Sequence, residues 1–73
     1  MKTYVTFGQE HTHRIVGHTL DKDCVAVITS DSAEEGRKIA FDLFGSKFCF
    51  EYPEGFFDFE LMKYFPRGFI KVN

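Results

Sequence analysis

His11, His13, His18, Asp21, Asp23 and Cys24 form the densest run of metal-capable side chains in the sequence. Strand alternation puts His11 and His13 on one face. In a hairpin turning at Val16 and Gly17, Cys24 falls diagonally across from His11, so two imidazoles and a thiolate could meet on one ion. The spacing matches no strong zinc signature, because Cys-x-x-Cys and a helical His-x-x-x-His pair are both missing, and solvated histidines are ordinary at a polar hairpin tip. A metal- or small-ligand-binding module on His11, His13 and Cys24 is therefore the alternative reading, and no cofactor is expected. Cysteine catalysis needs a neighbouring base and an oxyanion hole at a strained turn or helix start, whereas Cys24 and Cys49 both sit within strand patterns. Ser30, Asp31 and Ser32 are explained by helix capping, and no glycine-rich phosphate loop is present. The residues predict a protein that is not an enzyme.

A second constellation runs through Glu51, Tyr52, Glu54, Phe56, Phe57, Asp58 and Glu60, with no basic residue among them. Aromatic anchors can supply the desolvated centre of an interface and carboxylates its rim, so these seven are the candidate partner-binding residues. The competing expectation is that the rings close the core and the acids are its solvated edge.

The elements that must position these groups follow from periodicity. Residues 3 to 7 alternate, with Val5 and Phe7 opposite Tyr4 and Thr6, as a half-buried strand requires. Residues 24 to 29 are apolar on both faces and β-branched, which suits a central strand. A long hairpin joins the two strands. Pairing Ile15 with His18 at its tip carries the ladder back to Phe7 opposite Ala26 and Val5 opposite Ile28, with a bulge around Gly8 to Glu10 able to shift it.

Ser32-Ala33-Glu34-Glu35 fits a capping box, the Ser32 oxygen accepting from the Glu35 amide and the Glu35 carboxylate reaching back to the Ser32 amide. The spacing predicts a helix over about 33–44, with Gly36, Ile39, Ala40, Leu43 and Phe44 on its inner stripe and Gly45 at its C-cap. Gly36 costs about 1 kcal/mol against alanine there, which close approach of helix to sheet would offset. Residues 47 to 52 alternate again, a short second helix capped by Asp58 is expected over about 58–64, and residues 69 to 72 make a last strand. The expected fold is α+β: one mixed or antiparallel sheet of about four strands with the main helix on one face. If the second and third strands are adjacent and parallel, that helix connects them as a right-handed crossover.

With 73 residues the chain makes a single domain, and folding hides only about 60% of the surface of so short a chain. Ten phenylalanines and three tyrosines without tryptophan are more rings than so thin a core readily encloses. Nine basic and eleven acidic side chains give a formal charge of −2, which predicts no nucleic-acid binding through a dense basic surface. The sequence has no signal-like apolar run and no membrane-length segment, so a cytoplasmic protein is expected, its two cysteines reduced.

The segments YVTFGQ at 4–9, the His-x-His that follows, DKDCVAVI at 21–28, AEEGRKIAF from Ala33 and YFPRGFI at 64–70 resemble a group of small proteins encoded by bacteriophages and prophages. The resemblance spans nearly the whole chain and brings no catalytic residues with it. It implies a protein that binds a host protein as an inhibitor or adaptor, including the anti-defence role of blocking CRISPR effectors. A homodimer through an uncovered strand edge or the aromatic surface is compatible with either reading.

Overall fold

Alternation around Val5 builds β1 (Lys2–Thr6), which lies inside a four-stranded sheet in a computed structural model describing residues 1–15 and 17–73. The β-branched run makes β4 (Cys24–Thr29), antiparallel to β1. β5 (Phe50–Pro53) pairs antiparallel on the other side of β1, and β6 (Gly68–Lys71) pairs parallel with β4. Pro53, which has no N–H to donate, sits on an edge strand, where its loss is tolerated. The result is an α+β domain with a mixed sheet.

The long hairpin is present but interrupted. Its tip forms a separate two-stranded sheet from β2 (His13–Ile15) and β3 (His18–Leu20), with Ile15 opposite His18 as expected. Val16, the other expected turn residue, lies outside the described residues. At the base, Val5 faces Ala26 and Thr3 faces Ile28, two residues away from the register carried down from the tip. Residues 7–12 leave the ladder at Gly8, where φ is +65°, and absorb the difference. Because side chains alternate with period two, a two-residue shift preserves the faces, and Val5, Phe7, Ala26 and Ile28 still share one core.

Helix α1 (Ala33–Phe44) covers that face. Ser32 Oγ accepts from the Glu35 amide at 3.1 Å, but the Glu35 carboxylate meets the Asp31 amide at 3.4 Å, so the reciprocal half of the capping box is displaced by one residue. Gly36, Ala40 and Phe44 are buried along the inner stripe. A Cβ on Gly36 would collide with Oγ1 of Thr3 and stand 3.1 Å from Ser30 Oγ, which is the close approach that requires glycine. Leu20, fully buried, anchors the β2–β3 tip to the same core, a burial that contributes about 2 kcal/mol.

The condition of adjacent parallel strands is not met, and the start of the third strand is corrected. The second and third predicted strands, β4 and β5, are not neighbours: they run parallel with β1 between them, so α1 crosses over a strand. The third strand begins at Phe50, three residues late, and its alternation fails upstream, with Phe48 packing toward α1 while Tyr52 packs on the opposite face. The second helix is a 3-10 helix, Phe59–Tyr64, in the segment that carries the chain from β5 across the second face of the sheet to β6. Phe57 and, beside it, Leu61, Met62 and Phe65 pack there against Tyr4, Val25 and Val27. Among the described residues, no helix is long and apolar enough to cross a membrane.

Candidate functional site

The crossing segment begins at a turn in which the Phe56 amide donates to the Pro53 carbonyl at 3.0 Å and a Glu54 carboxylate oxygen accepts from the Lys2 amide at 2.8 Å. That turn fixes which of two adjacent phenylalanines goes inward. Phe57 is 5% exposed, stacked on Tyr4 at 5.0 Å and edge-on to Tyr52 at 5.4 Å, whereas Phe56 is 76% exposed. Asp58 Oδ1 then accepts from the Glu60 amide at 2.9 Å and starts the 3-10 helix. Leu61, Met62 and Phe65 pack toward the sheet, Glu60, Lys63 and Tyr64 are exposed, and Phe59 lies at the edge, where its ring meets Tyr4 and Phe57.

Tyr4, Phe57, Phe59 and Phe69 make every one of their six possible ring contacts, with centroids 5.0 to 6.1 Å apart. Two of the four, Tyr4 and Phe57, are buried, and they hold Phe59 and Phe69, which are 58% and 43% exposed. Offset and edge-to-face contacts of this kind are each worth about 0.5–1.5 kcal/mol beyond area burial, so the exposed rings are fixed in place.

The seven predicted partner-binding residues are thus divided. Phe56, Glu54, Asp58 and Glu60 are exposed along the crossing segment. Tyr52 is half-buried and Phe57 belongs to the core. Glu51 is on the other face: opposite Val5 in the ladder it shares the α1 side, where Arg37 lies 3.9 Å from one carboxylate oxygen and the other oxygen is buried without a partner. Phe59, Tyr64, Phe69 and Phe50 are exposed and absent from the predicted set. For Phe69 the signal was available, since with Ile70 and Val72 turned inward alternation must place Phe69 and Lys71 on the opposite face.

The histidine and cysteine set is not assembled. The interrupted ladder separates its members, and His13 Nε2 donates to the Lys47 carbonyl at 2.6 Å with its ring against Phe7 and Phe44. Cys24 is fully buried, its sulfur accepting from the Asp21 amide at 3.4 Å, and burial pushes its thiol above the ordinary range, away from the thiolate that a metal needs. His11 instead borders a cleft with Phe7 and Cys49. Among the described residues, no three His, Cys, Asp or Glu side chains stand close enough to hold an ion. The serines at the helix start are engaged in structure, Ser30 Oγ donating to the Ser32 carbonyl at 2.6 Å and Ser32 Oγ capping α1.

Compared with known proteins, the chain matches no family model, no curated protein and no solved structure.

Proposed function

We propose that the chain works by binding another protein and performs no chemistry of its own. The observation that carries this reading is the acidic-aromatic ridge: Phe56 and Phe59 stand exposed among Glu54, Asp58 and Glu60 on a segment whose neighbouring Phe57 fills the core. Exposed rings beside carboxylates suit a partner that offers an apolar pocket with a basic rim. Following the phage resemblance, the partner is a host protein in the bacterial cytoplasm, bound as by an inhibitor or adaptor, an anti-defence role being one form of it.

The test compares affinity capture from a bacterial lysate by the natural chain and by a Phe56→Ala/Glu60→Lys variant. These two side chains are chosen because Glu54 and Asp58 also serve the backbone, through the Lys2 and Glu60 amides. A specific protein retained by the natural chain and lost by the folded variant is the expected result. Equal retention by both would remove this ridge from the interface, and loss of a self-associated species in sedimentation would make the partner a second copy.

A further inference from the structure

We propose that a cleft at the β1–β4–β6 end of the second sheet face binds a free nucleotide, taken as a flat base that carries one or two phosphates. The crossing segment covers only part of this face. Beyond Phe59 the sheet lies open as a cleft of about 560 Å³, within the size range of small-ligand sites. Its floor is Tyr4, Val27 and Thr29, its wall the exposed faces of Phe59 and Phe69, and its rim Lys2 and Lys71.

Each part matches one part of a nucleotide. The wall is pre-organised, because Phe59 and Phe69 each rest on both of the buried rings, Tyr4 and Phe57, so a base stacking on it meets aromatic surface already held in place. The rim is cationic and free. Among the described residues, ion pairs form at Lys22, Arg37 and Arg67, and neither Lys2 nor Lys71 has one. Glu54, the nearby acid, is turned to the Lys2 backbone amide and leaves the ammonium group without a counter-ion.

The ladder sets the span. Lys2 is opposite Thr29 and Lys71 is opposite Val27, so the two lysines stand two strand spacings across and two residues along the sheet, roughly 12 Å apart at the backbone, and flexible stems can close on one phosphate group from both sides. Two lysines on a chain of net charge −2 neutralise too few phosphates to hold a polymer by counter-ion release, which favours the free nucleotide over a strand of nucleic acid. The other clefts lack this combination: the one along the outside of α1 mixes Glu34, Glu35 and Asp42 with its two cations, the one beside His11 has no lysine or arginine, and the one lined by Phe50, Tyr52 and Tyr64 has a single cation, Lys22, already paired with Asp23 at 3.2 Å. The inference does not rest on the protein-binding reading: the cleft and the ridge share Phe59, but Lys2 and Lys71 lie outside the Phe56–Glu60 ridge, so the lysine variant tells the two apart.

The test titrates ¹⁵N-labelled chain with AMP and follows its amide resonances, with adenosine and a short oligoadenylate as parallel arms. AMP should shift residues 2–4, 27–29 and 69–71 saturably. Lys2→Glu/Lys71→Glu should weaken binding by about tenfold or more while the remaining spectrum stays in place, and Phe59→Ala should cost about tenfold. Both lysines are exposed, so the charge reversal leaves the core intact. Any of four results overturns the proposal: no saturable shift at the cleft, adenosine binding as tightly as AMP, oligoadenylate binding more tightly than AMP, or undiminished affinity in the charge-reversed variant. The lysine variant keeps Phe56 and Glu60, so it should capture a protein partner as the natural chain does.

Discussion

Cys24 and Cys49 place the same thiol in opposite surroundings, one fully buried in β4 and the other exposed just before β5. Burial favours the neutral form of Cys24 and so raises its pKa in the folded chain above the ordinary 9.0. The unfolded chain loses that proton first. Stability from keeping the thiol neutral is therefore fully present below 9.0 and is lost as pH climbs from there toward the raised folded value. Urea unfolding followed from about pH 8 to 10 should show the natural chain losing stability more steeply than Cys24→Ala. Parallel slopes would mean that the thiol ionises as readily in the fold as outside it. The burial of Cys24 was legible from its place in a strand that is apolar on both faces, whereas the exposure of Cys49 was not, because residues 47–49 read as strand but precede the ladder of β5.

At the scale of elements, α1 lies against β1 at the one place where a side chain has been given up. Gly36→Ala should gain about 1 kcal/mol in helix propensity. It should lose more, about 1–3 kcal/mol, by overpacking against Thr3, which is fully buried and whose Oγ1 has no partner to move toward. Net destabilisation in urea is expected, with Thr3→Ala restoring more stability in the Gly36→Ala background than in the natural chain. Stabilisation by Gly36→Ala alone would show that the helix has room to spare. This contact, like the helix itself, could be read from sequence because its signals are local: a serine cap, an apolar stripe, and a glycine interrupting it. The register of β1 on β4 could not be read the same way. It depends on how residues 7–12 leave and re-enter the ladder, and turn chemistry near Gly17 says nothing about an excursion at Gly8.

For the whole molecule, one sheet carries two cores, one under α1 and one under the crossing segment, and no staple joins them. Both cysteines are free, and among the described residues no donor cluster is built for a metal. Packing must supply what a disulfide or zinc ion supplies in many chains of this length. The second core is the thinner, with four buried residues and Phe57 as the one contributed by the crossing segment. The sequence announced surplus rings in this stretch, but it could not say which of two neighbouring phenylalanines enters the core, since identical side chains are told apart only by their place against Tyr4. That asymmetry gives a sharp comparison. Phe57→Ala removes a ring in contact with Tyr4, Tyr52, Phe59 and Phe69 and should cost about 3–5 kcal/mol, a large share of the 5–15 kcal/mol typical of a whole domain. Phe56→Ala, one residue earlier, should stay within about 0.5 kcal/mol. Urea unfolding followed by circular dichroism measures both. Equal losses would mean that the crossing segment seats its two rings alike, and the ridge on which the protein-binding proposal stands would then be part of the core.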